Sequence, residues 1–132
     1  MSSQYVFVYG TLKSDARNVH AKQFHLQAQF LGTASWQGCL YWVTNYPAAI
    51  ASTNLRDRVI GELWKLIQPE LVLHALDEYE GCAPSSPLPH EYERTIQPIE
   101  FNGQVIEAWM YLYRLSTGKL IKIDSGLFVN PT

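Results

Sequence analysis

A run of β-branched and aromatic residues near the N-terminus, from Tyr5 to Tyr9, most constrains the fold of this chain. No polar residues alternate with the apolar ones, so the run predicts a strand that is buried on both faces. Gly10 follows at once, and glycine lets the backbone turn where other residues would be strained. The amides of Thr11 and Leu12 can then point together into a cavity as a small anion or oxyanion nest. The alternative is an ordinary turn that leaves a core strand.

Length and composition limit the classes of protein to which the chain can belong. Its 132 residues, of which 47% are hydrophobic, predict a single packed domain over 1–132. A net charge of -2 without a Lys or Arg cluster argues against nucleic-acid binding. The sequence has no secretory signal and no segment that could span a bilayer, so we expect a cytoplasmic protein without a membrane partner. Nothing in the sequence indicates an oligomeric state.

The residues that usually bind metals and cofactors are scattered. Cys39 and Cys82 are far apart and belong to no CxxC motif, which favours two reduced thiols over a disulfide or a metal site. The four histidines share no metal-ligand spacing with each other or with the cysteines. The sequence also lacks a GxSxG elbow, a phosphate-binding loop and a GxGxxG motif. We therefore expect no metal and no cofactor.

The middle of the chain changes from strand to helix periodicity. Arg58 to Leu66 alternates between two faces and predicts a strand. A helix is then predicted from Pro69, which is favoured in the first turn, to the residue before Gly81, which is favoured just after a helix C-terminus. A shorter helix is expected at about 18–27.

Glycine and turn signals divide the second quarter of the chain. Breaks at Gly32 and Gly38 predict that 29–43 forms two short strands around a turn. Asn45-Tyr46-Pro47 is a further turn signal. This part of the chain thus predicts short strands with tight connections.

The C-terminal half predicts a loop and a hairpin. Residues 82–91 form a proline-rich segment that is expected to be an exposed loop. Asn102-Gly103 is the signal for a primed hairpin turn, here joining strands over 92–101 and 104–114. With the other segments, this pattern predicts an α+β fold: a small mixed, mostly antiparallel β-barrel with one or two flanking helices. The open end of such a barrel is a natural pocket.

The predicted second helix carries three carboxylates near its end, Asp77, Glu78 and Glu80. At about 100° per residue, Glu80 lies about 40° from Leu76 and about 20° from Leu73 around the helix axis. Glu78 lies about 160° from Leu76 and therefore faces solvent. Asp77 falls at the edge of the apolar face. Glu80 is thus the carboxylate that projects from the side to be buried.

A buried carboxyl group has the properties of a general base. Burial disfavours the charged form and raises the pKa toward neutrality, where a base is most useful. The alternatives are that Glu80 reaches water in the last helical turn, or that it pairs with Arg94. A second acid, Glu107, shares a strand face with Trp109 and Tyr111; such a face usually belongs to the core, and an inward Glu107 would line the pocket.

Six segments, in order and covering nearly the whole chain, resemble the γ-glutamylcyclotransferase-like (AIG2-like) family, which includes γ-glutamylamine cyclotransferase and small bacterial relatives. The segments are FVYGTLK at 7–13, YPAAI at 46–50, VIGELWKL at 59–66, LDEYEG at 76–81, YERTI at 92–96 and EAWMYLY at 107–113. Each match is weak alone, and the ordered set is specific. The resemblance implies a small mixed barrel with flanking helices, as the strand and helix patterns also predict.

The resemblance also implies site residues. The family's catalytic glutamate ends the LDxxE pattern and corresponds to Glu80. Substrate binding is implied for the YG[ST]L loop and for matches in the YERTI segment: Tyr9, Gly10, Thr11, Leu12, Tyr92 and Arg94. Arg94 has the alternative of a structural role, either anchoring the helix end or orienting Glu80.

The implied reaction converts a γ-glutamyl amide into 5-oxoproline and releases an amine or amino acid. The substrate's own α-amine attacks its γ-carbonyl, with Glu80 as general acid and base and without metal or cofactor. The alternative function is a non-catalytic small-molecule-binding or regulatory domain that keeps the same pocket. The proline-rich segment 82–91 is longer than in the compact cyclotransferases, which predicts altered access to the pocket.

Overall fold

The computed structural model describes residues 3–131. Over this part of the chain the secondary structure comprises, in order, β1 (Tyr5–Val8), α1 (Val19–Leu26), β2 (Ala28–Val43), β3 (Tyr46–Ala51), β4 (Arg58–Leu66), α2 (Pro69–Tyr79), β5 (Tyr92–Phe101), β6 (Gln104–Tyr113) and β7 (Ile121–Lys122). The strand order is β3-β2-β4-β1-β6-β5, and the pairing of Ser35 in β2 with Glu100 in β5 closes five of the strands into a barrel. Only β1 and β6 run parallel among these pairs, so the predicted mixed, mostly antiparallel barrel with two helices is confirmed.

Strand β1 lies in the middle of the barrel wall, between β4 and β6. As predicted, both of its faces are buried: Val6 and Val8 pack with residues of the two helices, whereas Phe7 belongs to a second cluster formed largely by strand residues. Because the strand is covered on both sides, the loop that follows Tyr9 emerges from a rigid element at one end of the barrel.

The prediction of two short strands over 29–43 is wrong. β2 is one strand of 16 residues. Gly32, at φ 151°, forms a bulge where the register with β4 shifts, so the strand bends there and continues. Gly38 lies inside the strand, and glycine is needed there because a Cβ would collide with the ring of Trp36 and the carbonyl oxygen of Ile50. Both glycines therefore serve strand packing.

Two turns differ in how closely they follow the sequence pattern. Asn102 and Gly103 have φ values of 50° and 76°, which confirms the predicted primed turn between β5 and β6. The earlier turn is displaced from its prediction: it is centred on Thr44 and Asn45, and β3 already begins at Tyr46. Thr44 adopts a φ of 57°, the left-handed conformation that the tight connection requires.

Both helices occur where the sequence predicts them. Asn18 caps α1, since its Oδ1 accepts a hydrogen bond of 2.8 Å from the amide of Ala21. Helix α2 begins at Pro69 and is followed by Glu80 and then by Gly81, whose φ of 73° ends the helix. The buried face of α2 consists of Val72, Leu73 and Leu76. This face presses α2 against the barrel, with Glu80 close to the barrel end.

Cys39 and Cys82 are free thiols. Cys39 donates a hydrogen bond of 3.2 Å to Asp57. Residues 82–91 form no helix or strand, as predicted; half of them are exposed, and Ala83 is buried. Neither helix in residues 3–131 has the length and apolar composition needed to cross a bilayer.

Candidate active site

A cavity of about 460 Å³ opens where β1 ends, next to the C-terminus of α2 and the start of β3 and β5. The structure brings six of the predicted site residues to its wall: Tyr9, Gly10, Thr11, Leu12, Glu80 and Tyr92. These residues come from three separate parts of the sequence. The cavity is therefore the place where the predicted site would have to act.

The loop of residues 10–12 is held from its outer side through its carbonyl oxygens. Gly10 O accepts from Asn130 Nδ2 at 2.9 Å, Thr11 O from Asn18 Nδ2 at 2.8 Å, and Leu12 O from His25 Nε2 at 2.9 Å. In a planar trans peptide the N–H group points opposite to the preceding carbonyl, so these bonds turn the amides of Thr11 and Leu12 the other way. Within residues 3–131 neither amide donates a hydrogen bond to a protein acceptor. The loop thus has two donors available to a ligand.

Gly10 is required for a different reason from the one predicted. Its φ does not lie in the left-handed region, unlike that of Gly81 or Gly103. A Cβ on Gly10 would instead approach Cγ of Pro47 to 2.7 Å. Glycine is therefore needed for the close packing of the loop against β3.

Glu80 immediately follows α2, and its amide donates to the Leu76 carbonyl at 2.8 Å. The residue is half-buried and lines the cavity, and no side chain within residues 3–131 donates a hydrogen bond to its carboxyl. Burial, followed by the negative charges of Glu91 and Asp77, raises the pKa of Glu80 to about 8. Such a group can exchange a proton near neutral pH.

The predicted alternative of a Glu80–Arg94 pair is wrong, because Arg94 pairs with Asp77. Arg94 Nε and Nη2 donate to the two Asp77 oxygens at 2.8 and 3.2 Å, and Tyr111 donates to Oδ1 at 2.6 Å. The guanidinium also stacks over Trp109, 4.2 Å from the ring centre. Arg94 lies in an adjacent groove and does not line the cavity. Its position fits the alternative structural role, anchoring the end of α2.

The tyrosines of the cavity wall have hydroxyl groups that are already engaged. Tyr9 donates to the Tyr111 carbonyl at 2.6 Å, and Tyr92 donates to the Pro47 carbonyl at 2.7 Å. Burial raises the pKa of both phenols above its ordinary value, and the nearby Glu80 carboxyl adds to the effect. These side chains therefore shape the wall and leave Glu80 as the group suited to proton transfer.

Sequence reasoning did not identify several residues of this wall. The hydroxyl of Tyr46 donates to Glu91 Oε2 at 2.5 Å, and the Tyr79 hydroxyl shares a hydrogen bond of 2.7 Å with Thr11. Tyr46 is the first residue of YPAAI at 46–50, one of the segments that resemble the family, so the resemblance could have identified it as a site residue. Glu91 follows an irregular loop, where no periodicity indicates the direction of a side chain.

The sequence left open whether Glu107 lines the pocket. Glu107 is exposed on β6 and does not line the cavity, and its carbonyl accepts a hydrogen bond from the hydroxyl of Ser3. Tyr111, four residues further on, is the member of that face that reaches the cavity. The face turns from solvent to the cavity along the strand because the barrel wall twists.

The described residues contain no group of three or more His, Cys, Asp or Glu side chains placed to hold a metal ion. The cavity offers a proton acceptor, two free amides and a partly apolar wall. Proton transfer combined with stabilisation of a developing oxyanion is the chemistry of acyl transfer. The fold and the site therefore define a small mixed-barrel protein with an acid at the end of the barrel.

Solved structures with this architecture come from bacteria and from mammals. An AIG2-like protein of Mus musculus superposes with a TM-score of 0.69 at 24% identity, covering 98% of this chain and 96% of the mouse chain. YkqA of Bacillus subtilis superposes with a TM-score of 0.71 at 22% identity, covering 96% of this chain but 40% of YkqA. At these identities the likeness establishes the fold.

The family model described as gamma-glutamyl cyclotransferase, AIG2-like, matches residues 6–130. The chain belongs to this family. Gamma-glutamylaminecyclotransferase A of Danio rerio is 31% identical over 115 residues, which make up 80% of this chain and 66% of the zebrafish protein. A Drosophila melanogaster protein, provisionally named as a gamma-glutamylcyclotransferase, is 31% identical over 123 residues, covering 88% of this chain and 73% of the fly protein. The chain thus spans about two thirds to three quarters of these relatives.

Proposed function

We propose that this protein is a γ-glutamyl cyclotransferase that converts a γ-glutamyl amide into 5-oxoproline and a free amine or amino acid. One observation supports the proposal most strongly: the Glu80 carboxyl lines the cavity without a hydrogen-bond donor from residues 3–131, in the same wall as the amides of Thr11 and Leu12, which donate to no acceptor in this part of the chain. A base and an oxyanion site are the two functions that ring closure requires.

Glu80 moves two protons in turn in this mechanism. Its carboxylate accepts a proton from the substrate's α-ammonium group, and the neutral amine attacks the γ-carbonyl carbon. A new C–N bond closes the five-membered ring, and Glu80 returns the proton to the leaving nitrogen as the original amide bond breaks. The regenerated carboxylate then accepts the surplus proton of the ring nitrogen and passes it to the released amine. No water is consumed. Because a free α-amine has a pKa of about 8, a carboxyl whose pKa is raised to about 8 accepts its proton at little cost.

The cavity wall binds the rest of the glutamyl part. The amides of Thr11 and Leu12 bind the substrate's α-carboxylate or the developing oxyanion, both of which are negative. Tyr9 and Tyr92 enclose the folded chain of the substrate, which brings the amine close to the carbonyl. The free thiols of the protein fit a reducing compartment, and we place the reaction in the cytoplasm.

The test is a panel assay for 5-oxoproline release from γ-glutamyl amines, γ-glutamyl amino acids and glutathione. Wild type is compared with Glu80→Gln, which keeps the shape but removes the base. Glu78→Gln is the matched control, because Glu78 is an exposed acid on the same helix and pairs with His74.

Glu80→Gln is expected to lose about 10²-fold or more of kcat with its fold retained, whereas Glu78→Gln keeps wild-type rates. Wild-type turnover by Glu80→Gln on an accepted substrate would disprove the assignment of the base. Ligands that bind in calorimetry but never release 5-oxoproline would instead favour a non-catalytic binding domain.

A further inference from the structure

The cavity contains a second carboxylate, Glu91, which ring closure does not use. Glu91 ends the proline-rich segment 82–91 and directly precedes β5. The Tyr46 hydroxyl from β3 donates to its Oε2 at 2.5 Å, which fixes the side chain at the cavity wall. Within residues 3–131 no donor engages the other oxygen, Oε1. Glu91 is therefore a positioned carboxylate with one oxygen available to a ligand.

The charge of the cavity is negative. Among the described residues, Glu80 and Glu91 are the acids of its wall, and no Lys, Arg or His side chain of 3–131 lines it. Arg94 and Arg114, which belong to this end of the barrel, form ion pairs outside the cavity and do not neutralise it. A cavity lined by one sign of charge attracts ligands of the opposite sign and disfavours ligands of the same sign.

The proposed function assigns the glutamyl part of the substrate to Glu80 and to the amides of residues 11 and 12. Glu91 is then the carboxylate of the cavity wall that this assignment leaves for the amine part. We propose that Glu91, held by Tyr46, selects γ-glutamyl amides whose leaving amine carries a second, positively charged group, as in conjugates of diamines. This inference rests on the proposed function.

The same arrangement disfavours leaving groups that end in a carboxylate. A γ-glutamyl peptide or γ-glutamyl amino acid would bring a negative charge into a cavity that already contains Glu91. Selectivity is a difference between two affinities. Glu91 raises the affinity for a cationic leaving group and lowers the affinity for an anionic one. One residue therefore separates two classes of substrate.

Three matched substrates test this inference: the γ-glutamyl conjugates of 1,4-diaminobutane, pentylamine and 5-aminopentanoate. Their leaving groups are similar in length and end in a positive, a neutral and a negative group. For wild type we expect kcat/KM for 5-oxoproline release to fall about tenfold at each step of this series. In Glu91→Gln both ratios should approach one. Ratios within one variant cancel any effect of Glu91 on the chemistry at Glu80.

Glu93→Gln is the charge-matched control. Glu93 lies two residues further on, is exposed, and pairs with Arg114 outside the cavity. The ratios of this variant should equal those of wild type. Tyr46→Phe keeps the charge of Glu91 but removes its hydrogen bond, so its ratios should fall between those of wild type and Glu91→Gln. Equal kcat/KM for the three substrates in wild type, or unchanged ratios in Glu91→Gln, would overturn the inference.

Calorimetry separates this inference from the proposed function. If wild type releases no 5-oxoproline from any of the three compounds or from the wider panel, the proposed function fails. The affinities of the same three compounds then decide the inference. Tightest binding of the diamine conjugate, lost in Glu91→Gln but kept in Glu93→Gln, supports charge selection by Glu91; equal affinities in wild type reject it.

Discussion

Asp77 and Glu80 lie three residues apart at the end of α2, and their carboxyl groups have different surroundings. The Asp77 carboxyl accepts from Arg94 and Tyr111 at 2.6 to 3.2 Å, whereas the Glu80 carboxyl lines the cavity without a donor from residues 3–131. The charge of Asp77 also raises the pKa of Glu80. One acid is thus paired and structural, and its charge helps to keep its neighbour suited to proton transfer.

The first prediction concerns the pH dependence of catalysis. In the proposed mechanism the reactive complex contains one proton shared between Glu80, whose pKa is raised to about 8, and an α-amine with a pKa of about 8. Below this range both groups are protonated, and above it both are deprotonated. We therefore expect kcat/KM to be bell-shaped with its maximum near pH 8, measured by steady-state 5-oxoproline release. A flat profile between about pH 6 and pH 10 would contradict the assignment.

The second prediction separates the two charges next to Glu80. Asp77→Asn removes a negative charge, so the acid limb of the kcat/KM profile should move to lower pH. Arg94→Gln leaves Asp77 unpaired, so the same limb should move to higher pH. Both variants should also lose about 1–3 kcal/mol of unfolding free energy, since each breaks a half-buried bidentate pair. Shifts in the same direction would show that the variants act through a structural change.

The third prediction concerns stability. Because the folded state raises the pKa of Glu80 from 4.5 to about 8, the folded protein binds one more proton than the unfolded chain between these values. The contribution of Glu80 to the free energy of unfolding should therefore fall as pH rises through this window, by up to about 1.4 kcal/mol per pH unit. Urea unfolding of wild type and Glu80→Gln at several pH values measures it. Glu80→Gln should gain stability relative to wild type as pH rises; a constant difference would contradict the buried acid.

The fourth prediction tests the packing of the 10–12 loop. Gly10→Ala places a Cβ 2.7 Å from Cγ of Pro47, so the loop must move, with a loss of about 1–3 kcal/mol in stability and a strong loss of activity. Gly118→Ala is the control, because the nearest atom its Cβ would meet, Oγ of Ser116, is 3.6 Å away and its φ lies outside the left-handed region; we expect a change within about 0.5 kcal/mol. Thermal unfolding and the 5-oxoproline assay measure both effects.

The fifth prediction concerns the outer anchors of the loop. Asn130 Nδ2 donates to Gly10 O at 2.9 Å and to Asp15 Oδ1 at 2.8 Å. Asn130→Ala releases the Gly10 carbonyl, so the amide of Thr11 is no longer directed by it. We expect a rise in KM of about tenfold or more with the barrel still folded, as seen by circular dichroism. An unchanged KM would show that the loop is held by its other bonds alone.

Local patterns predicted the parts of this fold that depend on neighbouring residues. The period of α2 correctly placed Glu80 on the buried side, and the Asn102-Gly103 pair correctly placed the hairpin. That Gly38 lies inside a continuous strand could not be predicted in this way, because its packing depends on Trp36 and on Ile50 in the neighbouring strand β3. A glycine that breaks a strand and one that lets two elements pack closely look the same in sequence.

Two side-chain contacts at and beside the site could not be predicted from local sequence patterns. Arg94 was a candidate partner for Glu80, but it pairs with Asp77. Both acids lie within one helical turn of each other, so the sequence alone cannot tell which of them the tertiary fold brings to Arg94. Tyr46 and Glu91 meet across 45 positions of sequence. No periodicity links them, so their contact follows only from the closure of the barrel.

The hydrogen bond between Asn130 and Gly10 joins residues that lie 120 positions apart in sequence. Asn130 is translated long after β1 and the loop that follows it, so a nascent chain can form much of its sheet before the Gly10 carbonyl meets this side-chain partner. The 10–12 loop therefore acquires its final shape only after most of the sheet has been synthesised.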